Sequence, residues 1–161
     1  MAWSTIAQIG YCSVADIEKK IGKQRLAELT NDGFTQGISN EGAEPDEDVC
    51  NLLITQAGQD IDSIVGMRYS VPFALDAIPN SIKFICIDLV AYYAYKRKIG
   101  ANKITADWQK TYDDAICDLE AIASGNKEIG IDANSQAATI IDITSLPQVQ
   151  FFNADNPMSN Y

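Results

Sequence analysis

The sequence predicts an all-α fold: an antiparallel bundle of three long helices, preceded by a short N-terminal helix and followed by an extended C-terminal arm. Two observations carry this expectation. Segments at about 46–67, 80–99 and 102–124 place apolar residues at helical period. Pro72, Pro79, Gly100 and Gly125 punctuate them at the positions where helices start or stop. Short links between the later helices favour antiparallel neighbours.

Residues 1–12 read as an extended lead-in. Ser13-Val14-Ala15-Asp16 then has the form of a capping box, with the serine oxygen covering the first free amides of a helix. Val14, Ile17 and Ile21 make its apolar stripe and Gly22 stops it. A second short turn, about 24–29, precedes Thr30-Asn31-Asp32-Gly33, which is turn chemistry. From about 32 to 48 the chain is polar, acidic and glycine-bearing, and reads as a mobile loop.

In the next helix, about 46–67, Val49, Leu53, Ala57, Ile61, Ile64 and Val65 keep the period, and Asp46, Glu47 and Asp48 suit the positive end of its dipole. Pro72 makes the chain beyond Arg68-Tyr69 extended. The helix at 80–99 is apolar nearly all round, through Ile82, Ile85, Cys86, Leu89, Val90, Tyr92 and Tyr93, which predicts the central, most buried helix. The last helix, about 102–124, carries the cleanest stripe: Ile104, Trp108, Tyr112, Ala115, Ile116, Leu119 and Ile122. Residues 1–125 therefore form the helical domain. Residues 126–161 hold two short β-prone runs, 139–143 and 148–152, with too little apolar content for a core of their own. They read as an arm that docks elsewhere, with β-strand addition as one mode.

Composition narrows the function classes. With 161 residues, 47% of them hydrophobic, the chain is long enough for one core. Its net charge of −10 argues against a free-standing nucleic-acid binder, which needs basic patches, and against anionic membranes. The four cysteines are scattered and there is no histidine, which argues against a zinc site; three of the thiols sit in apolar helical surroundings and are expected to be buried in a reducing cytoplasm. No secretion signal precedes the domain, and the longest apolar run is too short for a bilayer. The chain lacks a phosphate-cradling glycine loop, a G-x-S-x-G elbow and a histidine base. No cofactor and no enzymatic activity are expected.

Four stretches together resemble the Mu-like phage head–tail connector family. They are Tyr11-Cys12-Ser13-Val14-Ala15-Asp16-Ile17-Glu18 with Leu29-Thr30; Ile61-Asp62 through Arg68-Tyr69-Ser70-Val71-Pro72; Ile85-Cys86-Ile87-Asp88-Leu89-Val90-Ala91-Tyr92; and Tyr112-Asp113-Asp114-Ala115-Ile116-Cys117-Asp118-Leu119. The resemblance spans about 11–130. It implies a helical structural protein of the virion neck, one copy in a homo-oligomeric ring, usually a dodecamer, between the portal and a tail or tail-completion protein. It implies that double-stranded DNA passes through the lumen without sequence-specific binding. Family members often end in an arginine-phenylalanine-serine type motif, where this chain has Phe151-Phe152-Asn153-Ala154-Asp155-Asn156-Pro157. How the arm docks is left open by that departure.

Arg68 and Asp88 are the pair expected to interact. Asp88 lies in the most apolar helix and needs a partner; Arg68 ends the preceding helix and is positioned by sequence to supply a bidentate contact. A catalytic role for Asp88 is disfavoured because no nucleophile accompanies it. Lys96-Arg97-Lys98 is a candidate for the DNA lumen or an acidic neighbour, against ordinary complementation of a helix C-terminus. Phe34, Phe151, Phe152 and Tyr161 are further interface candidates. Asp60/Asp62 and Asp113/Asp114 read as solvated faces rather than a hydrolytic pair. Tyr92, Tyr93 and Tyr95 read as packing. Asp132-Ala133-Asn134 opens like a calcium loop but has Ala137 where glycine is required. Two other functions remain open: an acidic DNA mimic that blocks a host partner, and an aspartate-based enzyme.

Overall fold

The computed structural model describes residues 10–32, 43–100 and 103–132. Within them the chain forms α1 (Val14–Ile21), α2 (Lys23–Thr30), α3 (Glu47–Val65), α4 (Asn80–Ile99) and α5 (Ala106–Ser124). Among the described residues there is no strand, and no helix is long and apolar enough to cross a membrane. The all-α expectation is met. Phe34, Phe151, Phe152, Tyr161, both β-prone runs and Asn134 with Ala137 lie outside the described residues.

Local chemistry sets the helix starts. Ser13 Oγ accepts from the Asp16 amide at 3.3 Å while the Asp16 carboxylate accepts from the Ser13 amide at 3.1 Å, completing the capping box. At α3, Asp46 Oδ1 accepts from the amides of Asp48 and Val49, both at 3.1 Å. Thr30 joins these two ends of the chain. Wholly buried, its Oγ1 donates to the Leu26 carbonyl at 2.8 Å and accepts from the Asp46 amide at 3.0 Å.

Three boundaries differ from expectation. The turn expected at 24–29 is a two-turn helix, α2, because Leu26, Ala27 and Leu29 bury against the bundle and tertiary packing outweighs a polar local sequence. Helix α5 starts at Ala106 rather than near 102. Helix α3 ends at Val65, after which Gly66, Met67 and Arg68 form a turn closed by Arg68 and Tyr69 amides on the Val65 carbonyl.

Helix α4 is the axis of the molecule and packs against all four others. Ile82, Ile85, Cys86, Leu89, Val90, Ala91 and Ala94 are buried along it. Each large apolar side chain so placed contributes on the order of 2 kcal/mol relative to exposure. Helix α5 runs antiparallel to α4: Tyr92 stacks on Tyr112 at 4.3 Å, and Tyr95, further along α4, meets Trp108, earlier in α5, at 4.6 Å. On the other flank Gly10 lies directly on α3. A side chain at Gly10 would strike the Ile54 backbone, and one at Gly58 would sit 3.3 Å from Gly10 Cα. Glycine at both positions lets two backbones touch.

Candidate functional site

A cleft of about 590 Å³ opens between α1 and α4, lined by Asp16, Lys19 and Lys20 from one helix and Asn80, Lys83, Phe84, Ile87 and Asp88 from the other. Two ion pairs bridge its walls. Lys20 Nζ is 2.8 Å from Asp88 Oδ1, and Lys83 Nζ is 3.0 Å from Asp16 Oδ2. Burial pushes the Asp16 carboxyl up, but hydrogen bonds from Ser13 and Lys83 outweigh it and hold the group below the usual carboxylate range. Phe84 is 64% exposed, although it lies on the most buried helix. The cleft thus presents one apolar ring on a rigid element, framed by the Lys20–Asp88 and Lys83–Asp16 ion pairs and by Lys19.

The expected Arg68–Asp88 pair does not form. Asp88 faces α1, and its partner is Lys20; Arg68 lies past the end of α3, against Gly125 at the C-terminus of α5 and over the Tyr69 ring at 5.7 Å. The reason is geometric. A helix surrounded by four others turns successive side chains toward different neighbours, so adjacency of α3 and α4 does not direct Asp88 to α3. Arg68 Nε is buried without a hydrogen-bond partner among the described residues, and its guanidinium sits near the negative end of the α5 dipole.

Lys96, Arg97 and Lys98 lie where the C-termini of α4 and α2 meet. Arg97 donates to the Leu29 carbonyl at 3.4 Å and to Asp32 Oδ2 at 2.6 Å, Lys98 donates to the Asn31 carbonyl at 3.2 Å, and Lys96 sits over the Tyr92 ring. The Arg97 hydrogen bond holds the Asp32 carboxyl below its ordinary range. The cluster ties helix ends together and engages the chain's own acidic segment at Asp32.

The Asp60/Asp62 pair reads from sequence as a solvated face, yet both carboxylates are half-buried and bound to tyrosines. Asp60 Oδ2 accepts from Tyr93 Oη at 2.6 Å, and Asp62 Oδ1 accepts from Tyr11 Oη. Two residues apart on a helix, they face different neighbours and form no carboxylate pair. Burial raises the Asp62 pKa against the lowering effect of the Tyr11 hydrogen bond, and burial together with Asp60 raises that of Tyr93. Tyr11 Oη also accepts from the Phe73 amide at 3.3 Å, just beyond the cis Val71–Pro72 bond. Tyr11, buried in the lead-in, was missed as a key residue; no periodicity marks a single buried tyrosine outside a helix. Asp113 accepts from Gln109 at 3.0 Å on the exposed side of α5. Tyr92 and Tyr93 are buried and Tyr95 half-buried, packed as expected.

Of the thiols, Cys50 and Cys86 are buried, Cys12 is partly exposed and Cys117 is exposed on the outer side of α5. The sequence leads to an expectation of three buried helical thiols; Cys117 departs from it because α5 is covered on one narrow stripe, burying only Ala115, Leu119 and Ile122. Burial pushes the Cys50 thiol up to about 11.

Two comparisons with known proteins bear on these features. The family model described as bacteriophage Mu, Gp36 matches residues 11–142. The Mu-like prophage FluMu protein gp36 of Haemophilus influenzae is 29% identical over 96 residues, an alignment that takes in 60% of this chain and 63% of that protein. The matched region thus spans less than two thirds of that relative's length.

Proposed function

Because the chain belongs to the bacteriophage Mu Gp36 family, we propose that it is a structural virion protein that forms a ring at the neck between portal and tail, completing the head and joining it to the tail. The observation that carries this reading is Phe84 in the α1–α4 cleft. A large apolar side chain, 64% exposed on a helix fixed by the whole core, is suited to anchor a docking partner.

Helix α1 packs on α2, α3 and α4, whereas α5 packs on α3 and α4. The two outer helices therefore supply distinct faces for a head-to-tail contact. Such a contact closes into a ring when its rotation divides the circle, a dodecamer on the family resemblance. The net charge of −10 suits a channel through which DNA must slide, since phosphates find few cations to hold them. The portal and a tail protein are the further partners in this reading, and the protein has no catalytic role in it.

Phe84→Glu tests the proposal, because the position is exposed and the fold should survive. The expected result is an unchanged circular-dichroism melt with loss of the chain from purified particles and from portal complexes imaged by electron microscopy. Normal incorporation of Phe84→Glu would remove the anchor. Absence of the wild-type chain from the junction beneath the capsid vertex would end the neck reading, and capture of a host DNA-binding protein in its place would favour an acidic mimic.

A further inference from the structure

Cys12 and Cys86 lie 74 positions apart in sequence, yet their sulfurs are 3.4 Å apart, close enough for one thiol to hydrogen-bond the other. We propose that this pair is an oxidation site: a latent disulfide that covalently joins the segment before α1 to α4. The sulfurs need to close to roughly 2.05 Å, a shift within the reach of side-chain torsion. Both ends are anchored. Cys12 stands between buried Tyr11 and the Ser13 cap, and Cys86 is wholly buried in the first half of α4. The other two thiols complete neither end: Cys50 belongs to α3 beneath the α2–α3 junction, and Cys117 points outward from α5.

The pair is asymmetric in access, and this orders the chemistry. Cys12 is partly exposed and Cys86 is not. The oxidant is a small-molecule disulfide. The hydrogen bond between the two protein thiols holds the Cys12 pKa up and the Cys86 pKa down. The accessible Cys12 therefore attacks one sulfur of the oxidant as its proton passes to Cys86, forming a mixed disulfide and releasing one small thiolate. Cys86 then passes its proton to the departing small thiolate and attacks Cys12 Sγ, releasing the second small thiol. Two protein thiols are oxidised and one small disulfide is reduced to two thiols. The site stays reduced where a cell keeps thiols reduced and closes in an oxidising medium.

The consequence falls on the cleft. Cys12 leads directly into α1, whose Asp16 and Lys20 form one wall, and Cys86 sits between Lys83 and Asp88 of the other. The bond joins the two walls covalently, adding to the ion pairs that already bridge them. This inference does not depend on the neck reading, since it concerns only the thiols of the folded chain.

Folded full-length protein, wild type and Cys117→Ser, is incubated with oxidised or reduced glutathione, then alkylated and mapped by mass spectrometry. The expected result is loss of two hydrogens in Cys117→Ser, a Cys12–Cys86 linked peptide in both proteins, and a Tm raised by roughly 10 °C over the reduced form. Cys86→Ser is expected to trap glutathione on Cys12, and Cys12→Ser to leave Cys86 unmodified. If either variant fails to fold, the wild-type map decides alone. Alkylatable Cys12 after oxidation, a stable Cys12–glutathione adduct in wild type, or a Cys12–Cys86 link formed only after unfolding would each overturn the proposal.

Discussion

Tyr11→Phe removes one oxygen and tests how the lead-in is attached to the bundle. That hydroxyl donates to the Asp62 carboxylate and accepts from the Phe73 amide at 3.3 Å, so it joins three separate stretches of chain. A hydrogen bond to a charged acceptor contributes about 1.5–3 kcal/mol. Asp62 is only half-buried, and water replaces part of the bond, which places the cost near the lower end, about 2 kcal/mol. For a domain of this size that lowers Tm by roughly 6 °C.

The pH dependence has a definite sign. Burial raises the Asp62 pKa above the ordinary carboxylate value, and the Tyr11 hydrogen bond opposes that rise. A raised folded pKa means the folded state holds the proton more tightly than the unfolded chain. Ionisation of Asp62 therefore costs stability as pH climbs through the window above the ordinary value, and the cost disappears in acid. Loss of the Tyr11 hydroxyl moves the pKa higher still, so the penalty of Tyr11→Phe is largest at neutral pH and shrinks toward pH of about 4. Urea denaturation of wild type, Tyr11→Phe, Asp62→Asn and the double variant measures the coupling directly. In the Asp62→Asn background the tyrosine change should cost only about 1 kcal/mol, a neutral hydrogen bond. A Tyr11→Phe cost that is the same in both backgrounds, or the same at neutral and acid pH, would refute the reasoning.

Two further substitutions examine the ends of the bundle. Asp88→Asn breaks a contact to Lys20 whose partners are 27% and 46% exposed, so it should cost less than about 1 kcal/mol and show no coupling to Arg68→Ala in a double-mutant cycle; strong coupling would restore the Arg68–Asp88 pair. Gly125→Ala places a side chain at φ +85° where its Cβ would fall on the Arg68 guanidinium. The left-handed backbone alone costs about 1–2 kcal/mol, and Arg68→Ala should relieve only the remainder, read by thermal melts.

Four stretches underlie the family resemblance; three of them meet at one junction, and the fourth is held to the third through Tyr112 stacked on Tyr92. Tyr11 binds Asp62, Cys12 touches Cys86, and Phe73 follows the Arg68–Pro72 turn back to Tyr11. The linear pattern thus records a single junction where lead-in, α3, α4 and the turn between them are joined. Sequence order alone displays the pieces without revealing their contact. The cleft was harder to see. Phe84 opens an apolar run, and a helix apolar nearly all round gives no hint of which position its neighbours leave uncovered.

What the chain determined on its own was local and periodic. The 3.6-residue repeat, the Ser13–Asp16 box, Asp46 at the head of α3 and Gly100 and Gly125 at helix ends act within a turn or two of backbone, so they can be read without knowing what lies alongside. Helix α4 emerged with its ends at Asn80 and Ile99 for that reason. Tertiary structure alone decided partnership: Lys20 rather than Arg68 for Asp88, tyrosines rather than water for Asp60 and Asp62, and Cys12 for Cys86. Pairing energies depend on distance and burial across the fold, and neither quantity is carried by spacing along the chain.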